Sequence, residues 1–225
     1  MGKKMLAGVA MGLLLSGMSA TAEATLINIG SATYNGSEHN LIWDDDNNGI
    51  SVVWLDATNN LGLWADQTNW AAGLDAALTY NLLEGYSVSW DDPAWRLPSA
   101  GTDPVSDFNQ TTSEMGHLFY IELGLDADVT DAAELNASNF NNLVADTYWS
   151  GTEYPEFPGH DYAWTFNMSD GVQHWYNGLL SFYGLAIRGG EVFQEAPVPE
   201  PSMMLLFGTG IAGLVCMQLC RKKNA

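Results

Sequence analysis

Tyr162-Ala163-Trp164-Thr165-Phe166-Asn167-Met168 is followed by Ser169-Asp170-Gly171 and then by Val172-Gln173-His174-Trp175-Tyr176. The first seven residues alternate aromatic or apolar with small or polar, which is the period of a half-buried strand. Asp-Gly accepts the positive backbone angles of a primed turn, so the chain is expected to reverse there and return as a second strand. The alternation sends Trp164 inward with Phe166 and leaves Trp175 better placed for exposure. An antiparallel hairpin of this kind implies a body of short strands and tight turns.

Working outward, 146–154 reads as a preceding strand and 184–190 as the final one. Nearer the start, 25–29 is strand-like and 30–36 turn-rich, while 41–43 and 51–55 read as two strands joined by Asp44-Asp45-Asp46-Asn47-Asn48-Gly49. Trp70, Leu74, Ala77, Leu78 and Asn81 keep the helical period and predict a helix over 68–83. Met115, Leu118, Phe119 and Glu122 predict a second over 113–123, with Thr111 and Glu114 at capping-box spacing. The stretch 85–92 reads as a turn, and the acidic stretch 126–142 as a surface loop.

Both ends carry transport signals. Lys3-Lys4, an apolar core from Met5 to Met18 and small residues around Ala20–Ala24 form a secretory signal peptide, assigned to residues 1–24. At the other end stand Pro199-Glu200-Pro201, 18 uncharged residues from Met203 to Cys220, and Arg221-Lys222-Lys223. The uncharged run has the length of a membrane-spanning helix, and the basic cluster behind it should stay cytoplasmic. In this three-part order the tail, 197–225, resembles a PEP-CTERM sorting signal. The resemblance implies Sec-dependent export from a Gram-negative cell, transient anchoring in the inner membrane, and cleavage by an exosortase near Pro199, Glu200 and Pro201. Residues 25–196 remain as the exported domain.

Charge is concentrated in the signals. Five of the seven Lys and Arg residues lie there, so Arg96 and Arg188 are the only cationic side chains between Thr25 and Pro201. Of 27 acids only Glu23 precedes that span, which leaves a formal charge of about −24. Such a body cannot neutralise phosphates, which excludes nucleic-acid binding, and it should repel sulfated or anionic glycans. Cys216 and Cys220 both lie in the hydrophobic tail, so the body holds no disulfide and depends on packing. With nine Trp residues it has the apolar area to fold.

A second resemblance covers most of the body. Trp95-Arg96-Leu97-Pro98, Tyr148-Trp149-Ser150-Gly151-Thr152-Glu153-Tyr154, the Ala163-Trp164 to Asp170-Gly171 run and Ile187-Arg188-Gly189-Gly190 are similar to motifs of the Lcl C-terminal domain family. That resemblance implies an α+β, C-type-lectin-like fold, with two helices packed on antiparallel strands and hairpins, and a role in glycan adhesion. The basic residues that attract sulfated polysaccharide in that family are missing here, so this specificity is not carried over. Formylglycine-generating enzymes share the broad fold but need two active-site cysteines, which this body lacks.

No motif announces catalysis. His39, His117, His160 and His174 are scattered, with no HExxH and no Cys/His cluster. Glu153, Glu156, Asp161 and Asp170 could supply a glycosidase pair, but chance pairs are expected in so acidic a chain. The expectation is therefore a non-enzymatic, exopolysaccharide-associated binding module, with Trp149, Tyr154, Trp175 and Tyr176 as candidate glycan-stacking residues. The alternatives are a calcium-bridged matrix component or a glycan-active hydrolase. Asp44, Asp46 and Asn48, followed by Gly49, match the opening of an EF-hand-type calcium loop, yet Leu55 stands where its closing Glu belongs; an Asx/Gly hairpin turn is the preferred reading. No other cofactor is expected. Arg96 and Arg188 are expected to be buried or half-buried and fixed by carboxylates through the guanidinium fork.

Overall fold

In the computed structural model, residues 26–127, 132–155 and 161–195 are described. Nine strands form one mixed sheet: β1 (Leu26–Tyr34), β2 (Ser37–Asn47), β3 (Ile50–Gly62), β4 (Thr79–Leu82), β5 (Tyr86–Trp90), β6 (Thr147–Glu153), β7 (Tyr162–Asn167), β8 (Gln173–Asn177) and β9 (Phe182–Gln194). Their order across the sheet is β4-β1-β2-β3-β9-β6-β7-β8, with β5 also paired to β9. All pairings are antiparallel except that of β6 with β9.

The last strand is thus the axis of the molecule. One edge of β9 pairs with β3, Ile187 lying opposite Trp54. Because Ile187 also exchanges both backbone hydrogen bonds with Arg96, its other edge receives β5, then Arg96, then Tyr148 of β6 at Tyr183.

Both faces of the central strands are buried, and their side chains alternate between two cores. Val53, Leu55 and Ala57 of β3 enter one cluster with Ala71 and Leu74 of helix α1 (Trp64–Ala77). Val52 and Trp54 enter the other, with Met115, Leu118, Phe119, Leu135 and Phe140. A strand buried on two faces reads as an unbroken apolar run, as Val52-Val53-Trp54-Leu55 does. Full burial of each such side chain stabilises by about 1.5–3 kcal/mol relative to exposure.

These observations correct the α+β, C-type-lectin-like expectation. The fold is β-rich, and among the described residues only α1 is a helix of several turns. The helix expected over 68–83 begins and ends earlier: Leu78 is already extended, and Thr79–Leu82 pairs with β1. The second expected helix is one α turn, α2 (Glu114–His117), widened into a π-helical turn, Leu118–Glu122. Its cap is Ser113, whose Oγ accepts from Gly116 N at 3.0 Å, rather than Thr111. The stretch 85–92 is mostly strand, since β5 extends the pairing of β9. The supposed surface loop at 126–142 contains a short helix, α3 (Ala132–Leu135), and buries Leu135 and Phe140 completely.

Among the described residues no helix is long and apolar enough to cross a membrane. The signal helix over 1–24, Pro199-Glu200-Pro201 and the C-terminal hydrophobic helix lie outside the described residues.

Candidate functional site

Four groups of residues bear on function, beginning with the hairpin between β2 and β3. Asn48 and Gly49 have φ of 55° and 81°, the left-handed pair of a primed turn, and Asp46 Oδ1 accepts from Gly49 N at 3.0 Å. Asp46 and Asn48 are exposed, whereas Asp44 is fully buried. The three are therefore not brought to one centre: Asp46 closes the turn and Asp44 faces the interior.

There Asp44 meets two residues from the α2–π segment. Carboxylate oxygens of Asp44 and Glu122 and a ring nitrogen of His117 lie within 4.8 Å of one another. Asp44 Oδ2 accepts from Asn47 Nδ2 at 2.8 Å and Trp54 Nε1 at 3.1 Å. Its Oδ1 is buried without a hydrogen-bond partner, as are both carboxylate oxygens of Glu122 and His117 Nε2. His117 Nε2 stands 3.4 Å from Glu122 Oε1. The Glu122 carboxylate holds the imidazole above its ordinary pKa despite partial burial, and burial raises the Asp44 carboxyl above the usual carboxylate range.

The widened turn makes this meeting possible. His117 and Glu122 are five residues apart, and at 3.6 residues per turn an α-helix would point them about 140° away from each other. The π turn, closed by Leu123 N donating to Leu118 O at 2.9 Å, returns the fifth residue toward the first. Periodicity in the sequence cannot reveal the pair, because it assumes the α-helical repeat.

The two arginines form the third group. Arg96 grips Glu114 with two bonds of 2.7 Å and reaches Asp92 at 3.2 Å. Arg188 pairs with Asp75, donates to the carbonyls of Asp92 (3.1 Å) and Pro93 (3.2 Å), and lies 4.6 Å from the Trp90 ring centre. Trp95 and Leu97, which flank Arg96, are core residues, and Pro98 O accepts from Gly151 N at 2.8 Å. A cleft of about 290 Å³ runs beside Trp95, Arg96, Ser99 and Thr152, but the guanidinium facing it is engaged by its carboxylates.

The aromatic residues are the fourth group, and the structure divides them. Trp149 is fully buried with its Nε1 donating to Gly62 O at 3.1 Å, which corrects its place among the stacking candidates. Trp164 is also interior. Tyr154 and Trp175 are half-buried and stack with ring centres 4.6 Å apart and planes 14° apart. Ring contacts continue from Trp175 to His174, then to Tyr176 and Phe182. Tyr176 is exposed, so this chain of rings meets solvent along β8. The Asp170-Gly171 turn beside it is longer than two residues, and Gly171 carries its only positive φ, 77°.

Residues 197–222 match the PEP-CTERM protein-sorting motif. The chain is thus an exported protein whose membrane-anchored precursor is a substrate for an exosortase. No curated protein and no solved structure matches the chain, so the Lcl C-terminal domain resemblance of the body gains no support from relatives.

Proposed function

We propose that the exported body is a non-enzymatic binding module at the cell surface or in the extracellular polysaccharide, and that it holds neutral glycan on the aromatic face of β8. The observation that carries this reading is the solvent-reaching run of ring contacts built on the Tyr154–Trp175 stack and ending at Tyr176 and Phe182. Sugar rings present flat C–H faces that pack on aromatic rings, and flat faces already fixed by neighbouring rings lose little freedom on binding. The acidic surface favours a neutral partner over an anionic one.

Binding of the protein to its native exopolysaccharide and to a glycan array tests the proposal. Trp175→Ala should weaken binding about tenfold, the loss of roughly 1.4 kcal/mol expected for one stacking platform. Trp149→Phe should leave affinity unchanged, because that ring faces the core. Equal binding by wild type and Trp175→Ala would refute the assignment. Release of reducing sugar from the same polysaccharide would instead reveal a hydrolase.

A further inference from the structure

We propose that Asp44, His117 and Glu122 form the binding site for one divalent transition-metal ion of the zinc class. Unpartnered buried carboxylate oxygens are costly, and here Asp44 Oδ1 and both oxygens of Glu122 stand around one imidazole, with no cation from Lys or Arg among the contacts described. Asp44 is fully buried and the Glu122 side chain is only 1% exposed, so water offers neither much compensation.

One pair of donors already has the spacing of ligands on a shared ion, and all three lie within 4.8 Å of one another, close enough for a small side-chain shift to bring them onto it. Donor atoms about 2.0–2.2 Å from one tetrahedral ion stand roughly 3.3 Å from each other. His117 Nε2 and Glu122 Oε1 are already 3.4 Å apart, long for a hydrogen bond between such groups but right for two ligands. Asp44 is oriented from behind: Trp54 Nε1 and Asn47 Nδ2 both occupy Oδ2, leaving Oδ1 for the centre. Hydrogen bonds that aim a ligand in this way characterise built metal sites. A π turn is an uncommon backbone form, and here it serves to place His117 and Glu122 side by side.

The ligand set selects the metal. An imidazole nitrogen with two carboxylate oxygens suits zinc, manganese or cobalt, whereas calcium requires six or more oxygens. Three protein ligands leave a fourth position for water or another donor. This centre shares no residue with the β8 aromatic run and does not depend on the glycan proposal.

Metal binding by the full-length chain, purified in detergent, stripped with chelator and carrying Cys216→Ser and Cys220→Ser to remove the tail thiols, tests the assignment. Calorimetry should show one equivalent of Zn²⁺ per chain, with a rise in Tm that Ca²⁺ does not match. Co²⁺ in its place should give the visible spectrum of a mixed nitrogen and oxygen site. His117→Gln and Glu122→Gln should each lower Zn²⁺ affinity by about tenfold or more, while Asp46→Asn on the exposed hairpin changes it little. Should either core variant fail to fold, the Co²⁺ spectrum of the otherwise native chain decides the matter. Absence of stoichiometric Zn²⁺ and Co²⁺ binding, unchanged affinity in His117→Gln, or stronger stabilisation by Ca²⁺ would overturn the proposal.

Discussion

Glu114 and Glu122 stand at the two ends of one short helical segment, and their surroundings differ completely. The Glu114 side chain is 10% exposed and receives two guanidinium bonds of 2.7 Å from Arg96 and one of 2.6 Å from Ser99 N. The Glu122 side chain is 1% exposed and neither oxygen accepts a hydrogen bond; its neighbours are His117 and Asp44. Burial penalises a carboxylate in proportion to the water it loses, yet here the more buried acid is the one without hydrogen bonds. Between Thr25 and Pro201 the chain holds only two arginines, and both are committed elsewhere. No Lys or Arg therefore reaches the Asp44–His117–Glu122 region, whose one possible cation within the chain is the His117 imidazole, and a bound metal ion would neutralise both carboxylates together.

The comparison can be broken first at its well-compensated end. Arg96→Ala strands the buried Glu114 carboxylate and should cost about 3–5 kcal/mol in denaturant unfolding; a loss below about 1 kcal/mol would show that the clamp is incidental. The two glutamates should then respond with opposite signs. Glu114→Gln removes charge-assisted bonds and should lower stability by about 2 kcal/mol. In chelator, and at a pH high enough that His117 is neutral, Glu122→Gln removes a buried charge that no hydrogen bond offsets and should raise stability by about 1 kcal/mol. Equal signs for the pair would dissolve the contrast.

Asp56 is an intermediate case, a buried acid satisfied by the chain itself. Its carboxylate accepts from Asn141 N at 2.9 Å and Asn142 N at 3.0 Å, anchoring the loop that carries Phe140. Asp56→Ala should lower stability by about 1.5 kcal/mol, and hydrogen exchange should quicken first at those two amides.

How much of this was legible beforehand depends on how local the signal was. Asn48-Gly49 declares its turn, and the paired runs around it declare a hairpin, because turn chemistry and alternation are short-range properties. The tail is equally readable: its order of prolines, apolar run and basic cluster is a linear address. The sheet was not. Residues 79–82 continue a helical pattern in sequence but are captured by β1, a tertiary choice. Leu135 and Phe140 sit in an acidic stretch whose composition points to the surface, yet both fill the core beside Trp54. The metal-ligand cluster was hidden twice, since Asp44 is remote in sequence and the π turn breaks the period that would relate His117 to Glu122.

A further expected effect is confined to alkaline pH and concerns Tyr148, a neutral buried acid on the same side as Trp54. Burial pushes its phenol up to about 12, against hydrogen bonds from Val144 N (2.7 Å) and with Thr58 Oγ1 (2.9 Å). A folded pKa above the unfolded value of about 10 gives stability that is intact below pH 10 and lost as pH rises toward 12. Tyr148→Phe should flatten that part of the stability curve; an unchanged slope would mean that the phenol ionises freely in the folded protein.

Anomalous diffraction at the zinc edge, from crystals of the protein grown with Zn²⁺, measures the need for a cation most directly. One strong peak is expected, bonded to Asp44 Oδ1, His117 Nε2 and a Glu122 oxygen at about 2.0–2.2 Å. A centre with no peak there, its carboxylates bridged instead by a proton or a water, would contradict the assignment.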